Sequence, residues 1–472
     1  MRVLLINPPY GEVYSEVKSA EGVNPPIGLA YLAAYLRENN IGVEILDAHA
    51  LRMGLKELET KSFDYDVIGV SSMTPSLYSS LKVLRIVKKN NPLCKTIMGG
   101  PHISAIPIET MNSYPEIDFA VIGEGERTML ELVRAIQNED VPSNVNGIAY
   151  RKNGKVKLTP TRALIENIDE IPFPAYDLLP LDKYYQHLHH VSLGKNVPIK
   201  PFMILFTSRG CPYNCSFCAS KVIWHHRVRF RSAANVLSEI DMLVDEHNIK
   251  VLDIADDNFL MNKRRLNEIL DGLIERNYDL HFNCLSRVDS VNREILQKLK
   301  RAGCYLIRYG VESGNQEMLN QMHKGITIDQ VKRAFELTKE AGISSSASFI
   351  IGHLGETKQS VKDTIDLAKK INPTLAHFFI AIPLPGTELY DIAMEKNLIV
   401  NMNFNEWKQL PELPVIRTEE LTQEDLKEWR RKAYKSFYFR PAYIFERLRN
   451  IKGMAQVKFY FKGLLAVKSL TR

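Results

Sequence analysis

The sequence predicts an α/β protein in four segments. A doubly wound, Rossmann-like domain is expected over residues 1–140, a hairpin and linker over 141–195, a partial (βα)6 barrel of the TIM type over 196–400, and a helical, basic region over 401–472. Three observations carry this reading. Short β-branched runs alternate with stretches of helical spacing in two separate series; a proline-rich segment divides the series; and the alternation stops near residue 400. A chain of 472 residues with 45% hydrophobic content can fill a core in each part.

In the first series the strand candidates are "RVLLINP", "VEILDA", "VIGVSS", "TIMGG" and "FAVIG", separated by patterns such as "GLAYLAAYLRENN". Five strand-to-helix steps imply a parallel sheet covered on both faces. "GIAYRKNGKVKL" then reads as a hairpin turning at Asn153-Gly154, and "TPTRALIENIDEIPFPAYDLLP" as the linker. The second series runs through "FMILFTS", "VLDIAD", "HFNCLSR", "YLIRYGVES", "SASFIIG" and "HFFIAIPL". Six such steps are a TIM-type barrel with two units missing, and in either a barrel or an open sheet the active site belongs at the carboxyl ends of the strands. The last part, "EELTQEDLKEWRRKAYKSFYFRPAYIFERLRN", has helical spacing with a break near Pro441.

No run of about eighteen uncharged apolar residues occurs, and "MRVLLINPPYGE" reads as strand and loop rather than a signal peptide, so a cytoplasmic location is expected. Six cysteines in a chain this long do not make a disulfide scaffold. Three of them, Cys211, Cys215 and Cys218, fall within "TSRGCPYNCSFCAS", directly after the first strand of the second series. Iron–sulfur clusters usually take four thiolates, so three would leave one iron open to another ligand. The alternative is a closed structural zinc site using these cysteines with His225 or a distant cysteine, although zinc loops usually come as two separated pairs.

The spacing C-x3-C-x2-C, with Phe217 before the last cysteine, closely resembles the signature of the radical S-adenosylmethionine (SAM) superfamily. The resemblance implies a [4Fe-4S] cluster held by Cys211, Cys215 and Cys218, with SAM on the fourth iron and reductive cleavage to a 5′-deoxyadenosyl radical. "ADDNF" (Asp256, Asp257), "SRVD" (Arg287, Asp289), "RYGVESGNQEML" (Glu312, Ser313), "GHLGET" and "PLPGTELY" are similar to strand-end motifs of the subgroup carrying an N-terminal cobalamin-binding-type domain, with Leu354 standing where the pattern usually has proline. By that resemblance Phe217, Asp256, Asp257, Arg287, Glu312 and Ser313 are expected around the cofactor. Read alone, Arg287 with Asp289 could be a surface ion pair, and Asp256 and Asp257 could cap the following helix.

The first domain resembles cobalamin-binding domains through "VSSMTPS" (Ser71, Ser72, Thr74), "GGPH" (Gly99, Gly100, His102) and "GEGE" (Gly123, Glu124, Glu126), at the ends of the third to fifth strands. Small residues there let a macrocycle or its nucleotide tail approach the backbone; the plainer reading is tight turns. The D-x-H-x-x-G histidine of the wider cobalamin family has no counterpart in "NPPYGEVYSEV", and His49 of Asp47-Ala48-His49 follows the second strand and reads as a loop residue. With cobalamin, the resemblance implies methylation of an unactivated carbon; without it, cyclisation, oxidation or carbon–carbon coupling on a lipid or tetrapyrrole. An iron–sulfur electron carrier or redox sensor is the reading from another class.

The net charge of +6 divides unevenly: residues 430–472 carry twelve Lys and Arg against Glu446 alone, +11, leaving −5 for the rest. Basic residues from Arg430 to Lys452 interleave with Phe437, Tyr438, Phe439, Tyr443, Ile444, Phe445 and Leu448. This combination suits the surface of an anionic membrane, and equally a helix packed on the barrel with a solvated basic face. A hydrophobic or lipidic substrate and an external electron donor such as ferredoxin or flavodoxin are expected; nucleic acid ranks last among partners.

Overall fold

The computed structural model describes residues 1–9, 23–185, 197–198, 200–408 and 413–449. Its first sheet contains β1 (Arg2–Asn7), β2 (Gly42–Asp47), β3 (Val67–Ser71), β4 (Lys95–Gly99), β5 (Phe119–Val121), β6 (Ile148–Lys152) and β7 (Lys155–Leu158), in the order β2-β1-β3-β4-β5-β6-β7. The first five strands are parallel, and β6 and β7 run antiparallel. Residues Val3 to Ile6 and Val67 to Val70 are almost entirely apolar and buried, as strands covered on both faces require. Chain order reverses direction between β1 and β3, the place where a doubly wound sheet opens a crevice. Asn153 and Gly154 both adopt positive φ, the backbone of a tight hairpin turn, so the hairpin continues this sheet.

The second sheet is all parallel and sequential: β8 (Phe202–Leu205), β11 (Val251–Ile254), β12 (His281–Ser286), β13 (Cys304–Glu312), β14 (Ser344–Ile351) and β15 (Leu375–Ile380). Helices separate consecutive strands. A two-stranded ribbon, β9 (Ser208–Arg209) with β10 (Arg229–Phe230), brackets the cysteine loop. The proline-rich linker is not a loose tether: Ile165, Ile168, Ile171, Tyr176, Leu179 and Tyr184 are buried in one apolar cluster with the barrel and with Tyr31 of the first domain.

Helix Gln423–Tyr438 lies along β15, and helix Pro441–Arg449 follows it. Tyr434, Phe437 and Tyr443 are buried, and Arg430 is 4% exposed, so much of the aromatic face packs on the barrel, the second of the two readings given above. Phe439, Ile444 and Phe445 remain exposed. The side chains of Arg447 and Leu448 and all of 450–472, Lys452 included, lie outside the described residues, as do residues 10–22, which hold most of "NPPYGEVYSEV".

Candidate functional site

The cysteine loop leaves β9 at a point fixed from two sides. Asp256, at the end of β11, accepts hydrogen bonds from the Thr207 backbone N–H (2.6 Å), the Thr207 hydroxyl and the Ser208 hydroxyl (2.7 Å). Its carboxylate therefore holds the loop and caps no helix; the next helix is capped by Asn262. Gly210 has φ +90°, and a Cβ there would lie 2.0 Å from the carbonyl oxygen of Arg227, so only glycine fits. Between Cys215 and Phe217, Ser216 is anchored three ways. Its N–H donates to the Met322 carbonyl (3.1 Å), its carbonyl accepts from Leu389 N–H (2.9 Å), and its hydroxyl lies 2.9 Å from Nε2 of His353. Phe217 packs edge-on to the His353 ring.

All three thiols of the loop are partly buried. Burial pushes Cys211 and Cys215 up, and Cys218 up to about 11. Ligation would have to displace these protons. Among the described residues, no group of three or more His, Cys, Asp and Glu side chains is arranged to hold a metal ion.

Charged groups frame the loop. Glu312 ends β13 at a register shift, with φ +69°, a left-handed conformation uncommon for a residue with a side chain. Its carboxylate accepts from Lys324 Nζ at 2.7 Å, and both side chains are 9% exposed. Arg287 is buried, forks onto both carboxylate oxygens of Asp289 (3.0 and 2.8 Å), donates to the Lys324 carbonyl (2.9 Å), and lies 3.7 Å above the Tyr213 ring. The Arg287–Asp289 pair is thus part of the loop's support, not a surface pair. Asp257 accepts from Ser220 (2.8 Å), and burial pushes its carboxyl up. Ser313 is fully buried, 3.2 Å from Thr364 Oγ1 and accepting from Asn315 N–H, so its hydroxyl faces a turn and not the loop.

A cavity of about 620 Å3 opens between the carboxyl ends of the two sheets. Asn7, Gly69, Ser71, Gly99, Gly100, Gly123 and His49 form its wall on the first domain; Arg209, Gly210, Trp224 and Asp257 form its wall on the barrel. Gly100 has φ +100°, and a Cβ there would lie 2.7 Å from the Ser72 carbonyl oxygen. Ser71, Gly99, Gly100 and Gly123 therefore meet as the sequence motifs predict. Ser72, Thr74 and His102 do not face this space. Ser72 donates to the Met73 carbonyl, while the buried His102 ring sits between Thr74 Oγ1 (3.0 Å from Nδ1) and Thr110 Oγ1 (3.3 Å from Nε2), with its pKa lowered to about 4 by burial. Glu124 and Glu126 line the cavity, but their carboxylates are engaged by Arg209 and Arg229. His49, read from sequence as a loop residue, lies in the turn after β2 and stands on the cavity wall, because Asp47 accepts from Asn7, Ala50 N–H and Tyr184 and so fixes that turn.

Sequence reasoning missed Arg209, Ser216, Lys324 and His353. Arg209 and Ser216 lay inside the quoted motif without a role. Lys324 comes from a distant loop outside the quoted motifs, and His353 lay inside "GHLGET" without a role.

A model of the radical SAM superfamily matches residues 205–368, and one of the B12 binding domain matches residues 17–133. The chain is 37% identical over 469 residues to an uncharacterized methyltransferase of Pyrococcus horikoshii, covering 99% of this chain and 98% of that one. It is 30% identical over 454 residues to the anaerobic magnesium-protoporphyrin IX monomethyl ester cyclase of Rubrivivax gelatinosus, covering 94% of this chain and 78% of the cyclase. The solved structure of the cobalamin-dependent S-adenosylmethionine radical enzyme OxsB, with aqua-cobalamin and S-adenosylmethionine bound, matches 99% of this chain and 71% of its own at 21% identity and a TM-score of 0.72, a likeness of fold.

Proposed function

The chain belongs to the radical SAM family whose members carry a B12-binding domain, and from that premise we propose that it is a cobalamin-dependent methyltransferase acting on an unactivated carbon of a hydrophobic or lipidic substrate. The observation that carries this reading is the single cavity with a glycine-rich wall from one sheet and a wall from the cysteine loop's surroundings on the other. Two cofactors placed on those walls would share one chamber.

Cys211, Cys215 and Cys218 would hold a [4Fe-4S] cluster, and the three partly buried thiols on a pinned loop fit that group. When bound, the cluster with SAM supplies one-electron cleavage of a sulfonium, and a corrinoid supplies a methyl carrier. The chain's own residues do the placing. Ser216 and Gly210 fix the loop's path. Lys324 compensates the Glu312 charge, so that this carboxylate, held at a strained strand end, offers its remaining lone pairs to ribose hydroxyls or an amino group. Arg287 stacks on the Tyr213 ring of the loop. Ser71, Gly99, Gly100 and Gly123 let the backbone approach a flat macrocycle, and Leu5, Val70, Ile97 and Met129 make the chamber apolar behind them. An external donor such as ferredoxin or flavodoxin would deliver the electron.

The test is anaerobic reconstitution with iron and sulfide, then dithionite and SAM, on protein purified from cells supplied with cobalamin. Corrinoid absorption and 5′-deoxyadenosine are expected, the latter abolished in Cys215→Ala. A fully iron-loaded wild type that yields no 5′-deoxyadenosine with its substrate present rejects the reading. The similarity to the cyclase supports a second reading, ring closure or oxidation on a tetrapyrrole, separated by whether deuterium from methyl-labelled SAM enters the product.

Attachment to an anionic membrane now rests on Phe439, Ile444 and Phe445. Liposome flotation unchanged by the double substitution Ile444→Glu, Phe445→Glu discards it.

A further inference from the structure

The cavity wall and the cysteine loop are joined by a short ionic path. The β9–β10 ribbon sets Arg209 directly opposite Arg229, and both reach the β5–helix loop of the first domain. Arg209 gives one guanidinium nitrogen to Glu124 (2.8 Å) and the other to Glu126 (2.6 Å); Arg229 gives Nη1 to the second oxygen of Glu124 (2.8 Å). The four side chains are between 5% and 12% exposed, and two carboxylates balance two guanidinium groups. Burial alone would push the Glu124 carboxyl up, yet Arg229 and Arg209 hold it below its usual value. The Arg209 guanidinium also lies 5.2 Å from the Tyr31 ring and 5.9 Å from Trp224. From Arg209 only Gly210, a position with φ +90° that glycine alone fits, separates this network from Cys211. Gly123, Glu124, Gly125 and Glu126 on one side and Arg209 and Gly210 on the other all line the cavity.

We propose that Arg209, clamped between Glu124 and Glu126, is a positioning residue that transmits occupancy of the cavity to the cysteine loop, making corrinoid binding and SAM binding interdependent. The inference rests on the cofactor assignment proposed above. A fork bound at both nitrogens and flanked by aromatic rings has one low-energy orientation, so a shift of the 123–126 loop against a bound macrocycle moves Arg209, and Gly210 carries the shift to Cys211. By linkage, an effect of corrinoid on SAM affinity requires an equal effect of SAM on corrinoid affinity.

The experiment measures the Kd of hydroxocobalamin for the iron-loaded full-length chain with and without SAM. In the wild type the two values should differ by at least about fivefold, the lower end of ordinary coupling between sites. Glu126→Gln, which keeps shape and removes the charge, should still bind hydroxocobalamin and iron but bring the ratio close to one; Arg209→Lys, which keeps the charge and loses the fork, should fall between. Equal wild-type values with and without SAM overturn the clamp's role, as does a Glu126→Gln ratio equal to that of the wild type. Should Glu126→Gln fail to fold, Arg209→Lys decides by the same ratio. Failure of the wild type to bind hydroxocobalamin at all would strike the cofactor assignment itself, before any variant is compared.

Discussion

At the carboxyl ends of β3, β4 and β5 the chain presents Ser71, Gly99, Gly100 and Gly123, backbone and little else. At the carboxyl ends of β11, β12 and β13 it presents Asp257, Arg287 and Glu312, held by Ser220, Asp289 and Lys324. The parallel strands of the first sheet end at the cavity and Asp257, after β11, reaches the same cavity, yet one set of strand ends is made for close approach to a large surface and the other for fixing charge at points. The difference teaches that topology chose where ligands go, while residue size and charge chose what kind. A large neutral ring needs absence of side chains; a small charged cofactor needs their presence.

Removing a thiol should break the charged half completely. Cys218→Ala is expected to abolish the iron–sulfur absorption of reconstituted protein and to bring 5′-deoxyadenosine to background, while hydroxocobalamin still binds. Loss of both together would mean that the halves are not separable. The converse variant is Gly99→Leu. A Cβ at Gly99 meets only Val121, at 3.9 Å, so the backbone tolerates it and the side chain grows into the cavity. Corrinoid affinity should fall about a hundredfold, the scale of a few kcal/mol of steric conflict, with iron content unchanged.

The two halves should also answer pH in opposite senses. Glu356, fully buried behind β14, has its carboxyl pushed up to about 8 by burial. A carboxyl raised in the fold favours folding while neutral, so its contribution is complete below its usual value near 4.5 and is lost as pH rises toward 8. His102, lowered to about 4 by burial, contributes above its usual 6.5 and loses that contribution as pH falls toward 4. Glu356→Gln keeps an acceptor for Gly352 N–H and should remove the alkaline decline, a change on the order of a few kcal/mol across that interval. Hydrogen exchange resolved by domain checks it: the first sheet should keep its acid sensitivity in the variant.

How much of this was legible in sequence follows the same division. Strand runs and helix spacing revealed both sheets because burial on both faces demands continuous apolar strands, as in Val67 to Val70. The glycines of the cavity wall were legible because a missing side chain is a local fact. The long-range polar partners were not: Lys324 lies twelve residues from Glu312, His353 lies 137 from Ser216, and Arg209 lies 85 from Glu124. Nothing local marks a partner that is met only in the fold, across loops of the barrel for Lys324 and His353 and across two domains for Arg209. His102 was misplaced for the reverse reason, since its sequence neighbours Gly99 and Gly100 face the cavity while its own ring turns into the core between two threonines.

Glu312→Gln sharpens the charged half at a finer scale. It retains an oxygen for Lys324 but loses the charge that both Lys324 and an incoming nucleoside would meet, and it should weaken SAM binding about 10- to 100-fold, equivalent to one charged hydrogen bond of about 1.5–3 kcal/mol. An unchanged Kd for SAM would place the nucleoside elsewhere.

The sheets differ, finally, in how they end. The first ends at β7, where exposed Lys155 and Lys157 guard the open edge. The barrel ends at β15, and there the helix Gln423–Tyr438 supplies the missing partners. The Tyr438 hydroxyl accepts from Ala376 N–H (3.0 Å) and donates to the Ala376 carbonyl (2.9 Å), and one turn earlier the Tyr434 hydroxyl accepts from Phe378 N–H (3.2 Å). Two phenols four residues apart thus stand in for a seventh strand. Tyr438→Phe keeps the ring and removes both bonds, which should cost about 1 kcal/mol of stability, with Tyr434→Phe costing less for its single bond. Urea denaturation measures the loss, and exchange protection should fall at Ala376 and Phe378 before it falls elsewhere in the barrel. If the protection there is unchanged, the edge is closed by packing of Phe437 alone, and the hydroxyls are incidental to it.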